Sequence, residues 1–405
     1  MKVSDKILSL AYKYKKAKIW KYFSGQKFFA IEMKDKKIAY INIFGYYGEE
    51  YSLNLYLDDE SINAYIELMD KPFYSDFERR ERFIEQQFLD FSLEDAEDVP
   101  EETLEIVRDF KRRNKIRIGG SNSFPVFRKF QKYEVPAEIV DEKDWEYLEQ
   151  AITASIELEE NFKNFRFKYF TDYGDTDFNR PIPLFKLVDG KYFFDKEITI
   201  PKIEKTFPSP KNLNEVLIRK IKKFPKKSQL QCKTLLIPDP VMSETKNIPV
   251  FYHTIFSMVE DEGYILKNLP SEDYLNNPEN LVNNFIRVLV ESRINPKTIK
   301  VDDKRTYTLL KPLAKKLKSN IIYGTDFDEF YNAINDFYYR AFGNSPLMSL
   351  FEDTTDIEEF LGLLLVLPEE DIKNLPPEML FILRQVYNEG LLPEEISDKL
   401  DRIDF

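Results

Sequence analysis

The chain has 405 residues, 43% of them hydrophobic, with 34 phenylalanines, 24 tyrosines, one cysteine, one histidine and a formal net charge of −12. That length exceeds what one hydrophobic core organises, so two or three globular domains are expected, and the acidity excludes a surface that grips nucleic acid or anionic lipid all over, leaving room for a local basic patch. Cys232 and His253 stand alone, which excludes an intrachain disulfide, a thiolate or multi-histidine zinc site, and Ser-His or Cys-His catalysis except through His253.

In chain order, Ser4 is placed to cap a first helix in which Ile7, Leu8, Leu10 and Ala11 lead on to Ile19, Trp20 and Phe23, with Gly25 ending it. Its lysines make it too charged for a signal-peptide core, and no apolar run approaches a membrane span, so a cytoplasmic protein is expected. Residues 27–33 and 38–44 read as paired strands around a polar turn, and 51–57 as a third with Leu53, Leu55 and Leu57 on one face. Gly45 and Gly48 suit a bulge or tight turn; no lysine-serine pair or helix start follows them, as a phosphate cradle requires. A helix begins near Asp58, and a charged segment from Asp76 precedes an apolar alternation through Phe83, Phe88 and Phe91. The acidic stretch 92–102 reads as a loop and a helix start. Residues 101–113 fit a helix, 124–130 an extended segment, and Asp141 caps a long helix over 142–164 carrying Trp145, Leu148, Ile152 and Ile156.

Residues 182–194 form a hairpin with Asp189-Gly190 at its tip, and 201–210 a proline-marked connector. A basic amphipathic helix is expected over 212–224, with Arg219, Lys220, Lys222, Lys223, Lys226 and Lys227 in or just after it. Such a helix can lie on phosphates or acidic lipid; the competing and favoured reading is a core helix with a lysine-rich solvent face, since no stacking aromatics are interleaved with the charges. A strand is expected over 229–237. Then come a hairpin (249–259 and 264–269), a helix with Leu281, Phe285, Val288 and Leu289 in one stripe, a strand over 298–301 and Asp302-Asp303. A second helix (306–317), a strand (320–323) and a helix over 326–341 follow. The order β-β-α-β-α-β is an α/β unit. The tail is a small proline-separated helical set; 382–400 has a helix-turn-helix rhythm, but its second helix is acidic and suits packing or a partner better than DNA.

The Phe44-Gly45 connection, the Leu-Asn-Leu-Tyr-Leu strand, Phe124-Pro-Val-Phe-Arg and the helix from Asp141 resemble the first half of an uncharacterised group of bacterial proteins; the hairpin at Pro249 and the 295–303 strand end resemble its second half. The resemblance covers most of 27–342 and implies no activity, both domains being of unknown function. The second half is also similar in element order to the ribonuclease H-like fold, in a degenerate form. That resemblance implies carboxylates on adjacent strands around magnesium or manganese, because two ions must sit over the scissile phosphate. Asp302 stands at the end of a core strand, with Glu260, Asp261 and Asp326 as its candidate companions, yet the first hairpin strand offers no inward aspartate.

The expectation is therefore an α/β (α+β) protein of two mixed-sheet domains and a helical tail: 1–165, an aromatic hairpin and connector at 166–210, a ribonuclease H-like domain at 211–343, and helices at 344–405. The reading favours a non-catalytic cytoplasmic binding or regulatory protein with a protein partner, no cofactor and no membrane. Anchors are sought on the 212–227 basic segment and the aromatic hairpin 185–194. Two alternatives stay open. One is a metal-dependent phosphodiesterase using Asp302 with Glu260, Asp261 or Asp326. The other is a single-strand nucleic-acid binder using the basic helix with Tyr192 and Phe193 as stacking platforms.

Overall fold

The computed structural model describes residues 3–23, 27–46, 48, 50–70, 76–117, 120–170, 178, 180–243, 245–325, 327–342, 372, 383 and 399–400. Helix α1 (Asp5–Ala17) is capped by the Ser4 side chain, which accepts from the Ile7 N–H. It stops earlier than the apolar pattern suggests, because Lys18 turns left-handed at φ 53° and Ile19–Tyr22 continue as a 3-10 turn. Strands β1 (Phe28–Glu32), β2 (Ile38–Ile43) and β3 (Tyr51–Tyr56) follow, then α2 (Asp59–Asp70), α3 (Asp76–Ile84) and β4 (Phe88–Glu94). Next are α4 (Glu101–Arg113), β5 (Phe124–Phe130) and β6 (Ala137–Glu138). The long helix capped by Asp141 breaks into α5 (Glu142–Glu157) and α6 (Glu159–Phe165).

The hairpin β7 (Ile182–Val188) and β8 (Lys191–Ile198) turns through Asp189 and Gly190, both at positive φ, as a two-residue turn between twisted strands demands. It does not stand apart. β7 runs parallel to β1, completing an eight-stranded sheet in the order β6-β5-β4-β3-β2-β1-β7-β8 whose other pairings are antiparallel. Period-two alternation splits the side chains: Phe29, Ile31, Ile41, Leu53, Leu55 and Phe91 join the core under α1 and α5, while Phe28, Tyr40, Tyr56 and Phe88 join Ile62 and Tyr65 of α2 on the other face. Gly45 lets the chain fold back between β2 and β3: at φ +123° a Cβ would stand 2.6 Å from Tyr51 Cδ1 and 2.7 Å from the Glu50 carbonyl oxygen.

A second sheet is built from β9 (Lys226–Leu236), β12 (His253–Val259), β13 (Tyr264–Ile265), β14 (Asn295–Val301) and β15 (Asn320–Tyr323), while β10 (Val241–Met242) and β11 (Pro249–Val250) form a separate pair. Its order is β13-β12-β9-β14-β15; β12 is antiparallel to β9 and to β13, and β14 is parallel to β9 and to β15. The central strand is thus β9, which begins three residues before its expected start, and the 249–259 segment breaks into β11 and β12. Pro296 sits inside β14, where a register shift accommodates the missing N–H. Helices α7 (Glu215–Ile221), α8 (Pro278–Glu291) and α9 (Lys304–Leu317) pack together, α8 and α9 also against the sheet.

Residues 1–333 form one compact unit and 334–405 another; α10 (Asp328–Phe342) carries the chain from the first to the second. In the second, Ile372, Leu383, Lys399 and Leu400 are helical, and most of the 382–400 segment lies outside the described residues. Among the described residues no helix is long and apolar enough to cross a membrane.

Candidate functional site

Lysine is rare inside a core strand, since burying an ammonium without a partner costs far more than a hydrogen bond returns. β9 nevertheless carries Lys233, 7% exposed, between buried Cys232 and Thr234. Register supplies its partner. Lys300 of β14 lies opposite Gln231, so Asp302, just past the strand end, arrives beside Lys233. Lys233 Nζ is 2.8 Å from Asp302 Oδ2 and 2.8 Å from Tyr331 Oη on α10, and the Tyr331 hydroxyl donates to the same carboxylate oxygen. Burial works against the ammonium, but Asp302 outweighs it and holds Lys233 above the usual lysine range. Burial also opposes the Asp302 carboxylate, which Lys233 and Tyr331 hold below its ordinary value. Burial, then the Asp302 contact, push the Tyr331 phenol up to about 12.

The next residue has a different task. Asp303 caps α9, accepting from the Thr306 N–H at 2.7 Å and the Thr306 hydroxyl at 2.6 Å, while the Thr234 N–H donates to Thr306 Oγ1 at 2.8 Å. This fixes the first turn of α9 against the end of β9 and brings Arg305, 8% exposed, to face both β9 and α3. Its guanidinium grips Glu81 of α3 and donates to the Thr234 carbonyl. His253 of β12, 1% exposed, places Nε2 3.6 Å from Glu81 and packs between the rings of Tyr133 and Tyr274, each 4.4 Å from its centroid. The Tyr133 hydroxyl donates to Glu85 at 2.5 Å, and Glu85 also pairs with Lys205 of the connector.

Burial would raise the Glu81 carboxyl, but Arg305 and then His253 hold it well below the usual range. Glu85 is likewise kept low against burial, chiefly by Lys205. Burial lowers His253, against the pull of Glu81. A buried chain of alternating charges therefore joins α3, the connector, β12 and α9.

Two hollows open beside this chain on either side of Lys205 and Phe207. One, of about 320 Å³, is lined by Arg82, Lys233, Lys304 and Arg305 with Glu81, Glu85 and Asp303. The other, of about 170 Å³, is lined by Tyr133, Tyr274, Ala64, Ile203 and Leu275 with Glu60 and Lys132. Together they make a cleft whose charged groups are largely paired with one another and whose wall is partly apolar and aromatic.

The candidate metal set does not converge on Asp302. The Glu260 N–H donates to the Gln229 carbonyl, four residues back along β9 from Lys233 and so roughly 13 Å away along the strand; the Glu260 side chain pairs with Lys300. Asp261 is in the exposed β12–β13 turn, and Asp326 lies outside the described residues. Among the described residues no three His, Cys, Asp or Glu side chains come together in a way that could hold a metal ion.

The basic set is divided by the short α7, which Asn214 caps. Arg219 and Lys220 end the helix, Lys222 and Lys223 follow in a turn, and Lys226 and Lys227 open β9; all six are exposed. Tyr192 is 7% exposed in the core of the first sheet, so it offers no stacking platform, whereas Phe193 is 52% exposed. The cleft residues Lys233, Glu81, Lys205 and Arg305 escaped the sequence reading. The one local signal was a lysine inside the apolar strand of Cys232 to Leu236.

Residues 5–178 match the model of a domain of unknown function, DUF7309, and residues 217–338 that of another, DUF6930. No curated protein and no solved structure gives a match.

Proposed function

We propose that this chain, which joins a DUF7309 domain to a DUF6930 domain and so belongs to the families of unknown function those models define, is a non-catalytic cytoplasmic binding or regulatory protein. Its second fold is a ribonuclease H-like scaffold with a lysine where divalent metal would stand, and its ligand occupies the cleft beside Arg305. Numbered by chain order within that sheet, the strands run 3-2-1-4-5, which supports the scaffold reading. The observation that carries the proposal is the Lys233–Asp302–Tyr331 contact. A two-metal hydrolase needs carboxylates on adjacent strands; here the adjacent strands present one carboxylate and one ammonium, and the ammonium neutralises it. The larger hollow, about 320 Å³, is at the small end of ligand-pocket size.

Calorimetric titration with Mg²⁺ and Mn²⁺, paired with a cleavage assay on labelled DNA and RNA, tests the reading. Expected are no saturable isotherm below millimolar ion and no cleavage. A micromolar Mn²⁺ isotherm abolished by Asp302→Asn would overturn it in favour of the phosphodiesterase.

A further inference from the structure

The end of the second sheet opposite the cleft gathers cations that sequence scatters over about a hundred residues. Lys226 is paired in register with Asn295 of β14, and its Nζ reaches the Leu317 carbonyl at 2.9 Å and that of Lys318, covering the C-terminus of α9. The Asn295 amide donates to the Phe224 carbonyl at 3.0 Å, and the Ser319 hydroxyl to the Pro296 carbonyl at 2.6 Å. These contacts draw the C-terminal ends of α7, α8 and α9 and the starts of β9, β14 and β15 into one surface. On it stand Arg219, Lys220, Lys222 and Lys223 from α7 and its turn, and Lys227 from β9. Arg293 precedes β14, Lys297 lies within it near its start, and Lys315 and Lys318 close α9. All are exposed, and among the described residues none makes an ion pair, Arg219 and Lys222 meeting Glu215 only through its field. Lys222 and Lys318 are close enough to Lys226 to depress its proton affinity, after burial.

Two structural explanations absorb part of this charge. Lys316 is taken up by Glu215, and Lys226 by the α9 carbonyls. Three helix C-termini also call for cations, but each amounts to about half an elementary charge, far less than the cations assembled. The acids at this end are Glu215, held by Lys316, Glu291 at the end of α8, 3.9 Å from Lys267, and Glu260, Asp261 and Glu262 in the β12–β13 turn, with Glu260 held by Lys300. What remains is a basic end on a chain of net charge −12. At physiological salt the distant acids are screened beyond about 8 Å, so an anionic partner meets the local field.

The geometry points to this surface as a docking site for double-stranded nucleic acid, held through its phosphate backbone without sequence readout. A duplex presents a regular array of phosphates, one charge per about 1.7 Å of axis, and needs only cations spread over a surface. A single strand is gripped by stacked rings; the exposed ring here, Tyr264, follows the acidic turn, and Tyr192 is buried. The site is separate from the cleft and does not rest on the reading of Lys233.

The test is fluorescence anisotropy of the full chain with labelled 20-base-pair DNA and RNA duplexes across 50 to 200 mM KCl, roughly the span over which backbone binders lose most affinity. Anionic phospholipid vesicles and polyglutamate serve as rival polyanions. The duplexes are expected to bind with a linear log–log salt dependence, the RNA and DNA arms showing which backbone is preferred. The Lys220→Glu, Lys222→Glu, Lys223→Glu triple variant should weaken binding at least about tenfold and flatten the salt slope by roughly 2 to 3. Reversing exposed Lys13, Lys16 and Lys34 instead should change neither, and circular dichroism checks that both variants fold. Absence of duplex binding at 50 mM KCl, equal losses in the two variants, or binding of vesicles or polyglutamate but not duplexes would each overturn the assignment.

Discussion

Asp90 shows how one residue can carry a cost that its neighbourhood does not remove. It lies in a row across the first sheet in which Asn42 faces Asn54, Asn54 faces Asp90 and Asp90 faces Arg128. Arg128 looks like its partner, yet the guanidinium is 3.9 Å from Asp90 and forks onto Glu94 instead, with Nη2 2.8 Å from Oε2. Burial therefore pushes the Asp90 carboxyl up to about 8, Arg128 pulling the other way and Glu50 and Glu94 adding to the rise. In the unfolded chain it ionises near 3.8. Between those values the native state holds a proton the unfolded state has lost, so stability falls as pH rises, by about 1.4 kcal/mol per unit at most. Asp90→Asn keeps the shape without the titration. Urea midpoints from pH 4 to 9 should therefore converge for the two proteins at the acid end and favour the variant above pH 7. A variant that tracks the parent at every pH would show that Asp90 is ionised in the fold.

At the scale of elements, α9 begins where two adjacent aspartates divide the work. Asp303 holds the first turn through the Thr306 N–H and hydroxyl, so Asp303→Ala should lower stability by about 1 to 2 kcal/mol in urea denaturation. A loss under about 0.3 kcal/mol would mean that the Thr234–Thr306 contact alone fixes the turn. The acidic helix start was legible from Asp302-Asp303, as were α4 and β5, whose bounds follow from local periodicity and punctuation. Other elements were hidden for physical reasons. Ser92–Glu94 belong to β4 although their composition reads as loop, because the Ser92 hydroxyl donates to Glu94 at 2.8 Å and Arg128 of the neighbouring strand holds the Glu94 carboxylate. The start of β9 was hidden by Lys226, Lys227 and Ser228, a polar run paired with the bulged start of β14. Parallel pairing of β7 with β1 joins segments about 150 residues apart, and non-local pairing leaves no periodic trace. The cleft was illegible for the same reason: Glu81, Lys205, His253 and Arg305 come from four distant segments, and each alone reads as a surface or core residue.

For the molecule as a whole, the question is whether the two sheets within residues 1–333 unfold together. Their contacts include backbone and charged groups as well as the ring packing of His253 between Tyr133 and Tyr274, as joints between domains of one chain commonly do. Glu134 bridges Val250, the Phe251 N–H donates to the Tyr133 carbonyl at 2.8 Å, and the Arg305–Glu81 pair lies almost wholly out of water. A buried pair adds little net stability over an apolar one, but breaking it by removing one partner leaves a charge with nothing to answer it, at about 3 to 5 kcal/mol. Arg305→Met removes the cation beneath both Glu81 and Glu85, so the loss should fall on the joint. Calorimetry should show one transition in the parent and two in the variant, with the 201–210 connector becoming cleavable by protease between them. Adding Glu81→Met should restore much of the coupling, because the cost lies in the stranded carboxylate. If the double variant proved as weak and as split as the single, the joint would depend on the guanidinium's own contacts, its bond to the Thr234 carbonyl foremost, and balanced charge would no longer explain how the two folds hold together.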